Sequence, residues 1–264
     1  MKLACQEGMT PGKTLKEKFD NLEKWGYQGM EFGGRGLAER AKEISRVAAS
    51  STVKPCTICA GYRGAPLDAD KGQRDQAIAD IKDLLRVGAD LGMVGLIVVP
   101  LFGPPRVPDL SPLADPYKLE HQLFQRVLDE LAEHAAQVKC AILLEPLNRY
   151  EAHFLRRLEQ AVAYARRINS RYVRIMADFF HMSIEEADLA KSIAKAGKWI
   201  SHVHLADSNR QLPGHGHTDF AAGFAALKKA GFKNYMALEC GIPGDPEVLL
   251  PKCAEFLRAA LGNR

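Results

Sequence analysis

The sequence predicts an α/β protein of the (β/α)8 TIM-barrel class, folded as a single domain over residues 1–264. Three observations predict it. Short apolar runs alternate with longer stretches of helical periodicity from one end of the chain to the other. Eight such pairs fit in 264 residues, a length that closed α/β barrels routinely use as one domain. No composition shift and no long Ser/Gly linker divides the chain.

Taken in order, the expected strands are Lys2 to Gln6, Gly29 to Phe32, Pro55 to Ala60, Val94 to Pro100, Cys140 to Glu145, Val173 to Asp178, Ile200 to Leu205 and Tyr235 to Glu239. Each is a short, mostly apolar run, as a strand covered on both faces requires. Helical spacing falls between them at Thr14 to Trp25, Leu37 to Ser50, Asp70 to Leu91, Tyr117 to Val138, Leu155 to Ile168, Ile184 to Ala196, Phe220 to Ala230 and Pro246 to Leu261. Gly26, Gly92, Gly197 and Gly231 follow helical stretches, where a left-handed residue closes the last turn. Asp219 and Asp245 stand at N-cap positions, the latter before Pro246 in the first turn. The longest irregular segment, the proline-rich stretch Leu101 to Pro116, follows the fourth strand and is expected over the barrel mouth.

Composition excludes several classes. Hydrophobic content of 47% and charged content of 26% are those of an ordinary globular protein, and a net charge of +4 is too small to argue for nucleic acid. No apolar segment is long enough for a signal peptide or a membrane span, so neither a membrane nor export is expected. The 6 cysteines form no dense framework, which fits a reducing, cytoplasmic setting. Cys56-Thr57-Ile58-Cys59 has redox spacing, but it lies inside an apolar run and reads as structural thiols.

The strand ends carry the chemistry. Glu7 follows the first strand and Glu31 lies in the second. The run Ile142-Leu143-Leu144 stops at Glu145 and Pro146, Asp178 ends the sixth strand, His204 lies near the end of the seventh and Glu239 ends the eighth. Three carboxylates and an imidazole thus come from consecutive strands of a barrel, whose ends converge. Crowded in a dry mouth they would repel one another and take up protons, a penalty that a divalent cation removes. Glu145, Asp178, His204 and Glu239 are therefore the expected metal ligands. Hard oxygens with one imidazole suit Mn²⁺ first, with Mg²⁺, Co²⁺ and Zn²⁺ as alternatives. His202 shares the strand face of His204 but lies deeper and is expected to support or pack. Glu151, His181 and Arg210, with Asp207 and Asn209 beside the last, look like a shell that orients substrate.

Four motifs then carry a family resemblance. They are Leu144-Glu145-Pro146-Leu147-Asn148-Arg149-Tyr150-Glu151, Ala177-Asp178-Phe179-Phe180-His181-Met182, the run from His202 to Arg210 followed by Pro213-Gly214-His215-Gly216-His217, and Leu238-Glu239. In order and spacing they resemble the xylose-isomerase-like TIM-barrel superfamily, nearest the ketose 3-epimerases of the D-tagatose and D-psicose type. The resemblance implies one divalent metal on Glu145, Asp178, His204 and Glu239, with Glu145 and Glu239 also the catalytic acid/base pair on opposite faces of a sugar. It further implies that Glu151, His181 and Arg210 hold substrate oxygens, and, since relatives form dimers or tetramers, it leaves a homo-oligomer open, which no residue here decides. The first half of the chain matches by fold only, so the sugar is not specified.

The implied reaction removes a proton from carbon beside a ketone, passes through an enediolate, and returns a proton. The same intermediate serves aldose–ketose isomerisation, or elimination by a 3-keto-glycoside lyase, which is the alternative reading. An endonuclease IV-like DNA repair enzyme is the weaker one, because such sites are rich in histidine and this chain offers one histidine ligand. The arginines Arg156, Arg157, Arg166, Arg167, Arg171 and Arg174 cluster around one helix, and their spacing reads as a solvated face or oligomer contact.

Overall fold

Eight parallel strands close on themselves in chain order in a computed structural model that describes residues 1–262. They are β1 (Lys2–Gln6), β2 (Gly29–Gly33), β3 (Lys54–Cys59), β4 (Gly95–Val98), β5 (Ala141–Leu144), β6 (Val173–Asp178), β7 (Ile200–Leu205) and β8 (Tyr235–Leu238). Closure is made by β8 pairing with β1, from Tyr235 opposite Lys2 to Leu238 opposite Cys5. The surrounding helices are α1 (Leu15–Lys24), α2 (Leu37–Ala49), α3 (Lys71–Asp90), α4 (Pro116–Val138), α5 (Leu158–Ile168), α6 (Phe179–Glu185), α7 (Leu189–Ala196), α8 (Phe220–Lys229) and α9 (Pro246–Ala260).

The period-two alternation of strands sorts each sequence run into two columns. Outward residues such as Leu3, Met30, Ile142, Ile175, Val203 and Met236 join the main core, where they meet the apolar stripes of the helices. Inward residues fill the barrel instead: Ala4, Cys56, Tyr235 and Ala237 make one small cluster, and Ile97, Ala141, Leu143 and Met176 another. One step further along the same inward columns stand Gln6, Glu31, Glu145, Asp178, His204 and Glu239. The barrel is thus plugged by apolar side chains below and becomes polar at its C-terminal end, where active sites of this architecture are built.

The two expected N-caps, Asp219 and Asp245, are in place, and Thr14, expected inside its helix, is a third. Asp219 accepts from Ala222 N and Asp245 from Glu247 N, while Thr14 and Glu17 form a reciprocal capping box. Gly26, Gly92, Gly197 and Gly231 all have positive φ.

Two expectations are corrected. The helix expected over Ile184 to Ala196 is two helices, because Asp178 caps α6 directly by accepting from Phe180 N and His181 N, and Asp188 opens α7. The strand expected over Val94 to Pro100 spans only Gly95–Val98. Beyond it the Tyr62 hydroxyl takes the place of a strand partner, accepting from Val99 N at 2.9 Å and donating to Val99 O at 2.9 Å. The proline-rich segment after β4 joins the rim, with Gly103 bridged to Ala152 and Arg106 paired with Asp68. Among the described residues no helix is long and apolar enough to cross a membrane.

Candidate active site

The ends of β5 to β8 bring Glu145, Asp178, His204 and Glu239 together, each offering a ligand atom within 4.8 Å of the others. His204 is central. Its Nδ1 lies 3.1 Å from Glu239 Oε2, 3.6 Å from Asp178 Oδ2 and 3.7 Å from Glu145 Oε1. That nitrogen is buried and makes no hydrogen bond, so the imidazole edge facing the three carboxylates is unsatisfied. Glu145 and Asp178 are buried, and the Glu239 side chain keeps 22% of its surface open towards the mouth.

The other edge of His204 is held by Glu31 on β2. Glu31 Oε1 lies 2.9 Å from His204 Nε2, and its Oε2 lies 2.7 Å from His202 Nε2 and accepts the Thr57 hydroxyl at 2.6 Å. Burial alone would lift the Glu31 carboxyl, but His204 and His202 reverse that and hold it well below the ordinary range. It is therefore a buried carboxylate that takes the Nε2 hydrogen of His204 and leaves Nδ1 to face the cluster. Gln6 donates to both Glu31 Oε1 and Glu239 Oε1 at 3.0 Å, and the Cys59 thiol lies 3.5 Å from Glu239 Oε1. Sequence reading noted Glu31 in the second strand but gave it no role; the signal for one was an acid in the inward column of a barrel strand.

The electrostatics match a cation site. Burial first, and then the charges of Glu239, Asp178 and Glu31, push Glu145 well above the ordinary carboxylate range despite the pull of His204. Burial pushes Glu239 the same way, but its contact with His204 outweighs this and leaves it below its ordinary value. Burial works against a proton on His204, yet Glu31 and Glu239 draw one strongly onto it. The cluster thus gathers protons to offset its own negative charge, and a divalent cation offsets it without them. The orphaned Nδ1 and three convergent carboxylates fit such an ion.

The expected substrate shell stands beside this cluster. Glu151 Oε1 accepts from Arg210 Nη1 at 2.7 Å and from Asn148 Nδ2 at 3.0 Å, and lies 3.9 Å from His181 Nδ1. Arg210 also reaches Glu239 Oε2 at 3.5 Å and stacks over the Phe180 ring at 4.8 Å. Its backbone has φ of 59°, held by Arg210 N to Asp207 O and by Gly241 N to Arg210 O. For a non-glycine this costs roughly 1 kcal/mol, which the turn sustains to aim the guanidinium.

Other polar residues are not brought to the site. Asp207 is buried within its own loop, where it accepts from the backbone of Ser208, Gly214 and Thr218, and Asn209 donates to His215 O. They shape the loop that carries Arg210. Glu7 sits in a 3-10 turn and pairs with Arg40. Among the clustered arginines, Arg167 pairs with Asp129, Arg157 with Glu159, and Arg174 lies over Trp199.

The comparisons agree with this architecture. The profile of the xylose isomerase-like TIM barrel family matches residues 19–260. The 3-dehydro-D-guloside 4-epimerase of Escherichia coli (strain K12) is 30% identical over 241 residues, covering 90% of this chain and 92% of that protein. The D-psicose 3-epimerase of Enterocloster bolteae is 38% identical over 114 residues, covering 43% of this chain and 38% of that protein. Among solved structures, the apo 3-keto-D-glucoside 4-epimerase from E. coli superposes with a TM-score of 0.89 at 29% identity, covering 98% of this chain and 99% of that one. The chain belongs to the xylose isomerase-like TIM barrel family, and by homology to its carbohydrate epimerases.

Proposed function

We propose that this protein inverts a carbon next to a ketone in a sugar, through an enediolate, with Glu145 and Glu239 exchanging the proton and Glu145, Asp178, His204 and Glu239 holding one divalent metal. The observation that supports the reading is the convergence of Glu145, Asp178, His204 and Glu239 at the barrel mouth, each offering a ligand atom within 4.8 Å of the others, with two glutamates among them to exchange the proton. Two carboxyl groups converging on one site, one to take the proton and one to return it, are what an inversion needs. A bound divalent ion, with Mn²⁺ proposed first, supplies Lewis-acid stabilisation of the oxygen that gains charge. Glu239, open to the mouth and freed of its proton, takes the hydrogen from one face. Glu145, the buried partner, delivers one to the other face. Arg210 brings positive charge to the mouth, while Glu151 and His181 receive hydroxyl groups and fix which carbon lies between the two acids.

The names of the two relatives share this chemistry. A 3-dehydro sugar inverted at carbon 4 and a 2-ketose inverted at carbon 3 both change the carbon beside a ketone. The match to the first spans 90% of the chain and the match to the second 43%, which favours a 3-keto-glycoside over a free ketose as substrate. Elimination by a lyase would follow from the same enediolate if a leaving group stood on the next carbon. Incubating the metal-loaded protein in deuterated water with D-psicose and with a 3-keto-glucoside tests the proposal. Deuterium is expected at the inverted carbon of one of them, and its absence from both would sink the reading.

A cytoplasmic location and self-association belong to the same proposal. The free cysteines Cys5, Cys56, Cys59, Cys140, Cys240 and Cys253 fit a reducing compartment. Phe102, Leu110, Leu113, Tyr117 and Tyr150 present large exposed apolar surfaces on the rim segments, as a dimer or tetramer contact would. Sedimentation at micromolar concentration decides between an oligomer and a single 29.1 kDa species.

A further inference from the structure

The segment after β4 is poor in the means of fixing itself. Pro104, Pro105, Pro108 and Pro112 donate no backbone hydrogen, so it cannot extend the sheet. Its backbone attachment to the β5–α5 segment is one bridge, with Gly103 N donating to Glu151 O at 2.8 Å and His153 N to Gly103 O at 3.2 Å. A side-chain device sits on this bridge. His153 Nδ1 lies 2.8 Å from the same Gly103 carbonyl, and His153 Nε2 lies 2.5 Å from Glu120 Oε2 in the second turn of α4.

Glu120 is fully buried, and its other oxygen, Oε1, has no hydrogen-bond partner. Leaving Oε1 unsatisfied is costly, so the one partner Glu120 does have, His153, is what holds the carboxyl in place. The Gly103 carbonyl only accepts, so His153 Nδ1 carries a hydrogen. One further proton lies between Nε2 and the carboxyl, whichever of the two owns it. The pair thus holds a single shared proton and grips Gly103 with the other end of the ring.

We propose that Glu120 and His153 are a positioning pair that locks the proline-rich segment at Gly103 onto the β5–α5 segment and so fixes Glu151 for substrate. The inference rests on the substrate role given to Glu151 above. Glu151 is the residue whose carbonyl Gly103 binds, and its side chain in turn holds Arg210. Neither Glu120 nor His153 touches the metal cluster, so their effect reaches the chemistry through the placement of Glu151.

The test uses Glu120→Ala, Glu120→Gln and His153→Phe in the full-length, Mn²⁺-loaded protein. The Gln amide can donate to Nε2 of a neutral ring and keep it fixed against Gly103, whereas Glu120→Ala leaves Nε2 without its partner and His153→Phe removes the ring's grip altogether. With D-psicose and a 3-keto-glucoside as probes, Glu120→Ala and His153→Phe are expected to raise KM roughly tenfold with a smaller change in kcat. Glu120→Gln should stay within about twofold of the parent, and Mn²⁺ affinity should be unchanged in all three. Amide hydrogen exchange over residues 101–104 and 150–153 should quicken in the two disruptive variants only. Unchanged KM in His153→Phe, or Glu120→Gln impaired as much as Glu120→Ala, overturns the proposal. Should Glu120→Ala fail to fold, the contrast of His153→Phe with Glu120→Gln carries the test. If the parent turns over neither sugar, the functional reading has failed, and exchange alone still decides the pair: unchanged exchange in His153→Phe refutes the lock.

Discussion

A carboxylate buried as deeply as Glu31 keeps its charge because two imidazoles and a hydroxyl face it. That arrangement sets which nitrogen of His204 is free. Replacing Glu31 by Gln offers the ring a group that can donate as well as accept, and loosens the hold on its tautomer. Mn²⁺ affinity measured by calorimetry is expected to fall about 10–100-fold, with the fold retained by circular dichroism. An unchanged affinity would show that His204 needs no such partner. Residues of this kind mark the limit of sequence reading. Strand ends and parity pointed to Glu145, Asp178, His204 and Glu239, because those depend on position within one strand. The role of Glu31 depends on β2 facing β7 across the barrel, and that of Asp207 on three backbone donors of its own loop. Neither relation is written in local spacing.

At the scale of elements, the barrel and its strand order followed from periodicity, whereas boundaries moved wherever a side chain replaced backbone pairing. Tyr62 shortened β4, and Asp178 served at once as strand end and helix cap, leaving no linker to read. The pairing of β4 with β5 is itself tight. A Cβ on Gly95 would meet Ala141 O at 2.2 Å, against backbone that cannot yield without shifting the ladder. Gly95→Ala is expected to lower stability by about 1–3 kcal/mol in urea unfolding. The β3–α3 connection offers a pH test. Hydrogen bonds from Arg63 bring the Asp80 carboxyl down from 3.8 to about 2. The unfolded chain binds the proton nearer the ordinary value, so this pairing stabilises the fold above it and fades as pH falls towards about 2. The gap in urea midpoint between the parent and Asp80→Asn should therefore be widest near neutrality and close in strong acid; a gap that grows on acidification would contradict the assignment.

For the molecule as a whole, a cation that binds only the folded cluster adds its binding energy to stability. At a free Mn²⁺ concentration 100 times its Kd the gain is about 2.7 kcal/mol. For a chain of this size that is roughly 5–10 °C in Tm, which chelation should remove in a calorimetric scan. A Tm indifferent to chelator would argue against metal at the cluster. Closure of β8 onto β1 has a different kind of consequence. A ring of strands has no outermost member, so the folded protein offers nowhere for a foreign strand to add. Remove any one strand and two raw edges open together. A truncated or nicked chain should for that reason go to aggregate rather than persist as a smaller soluble sheet, which makes the ring an all-or-none guard against mispairing.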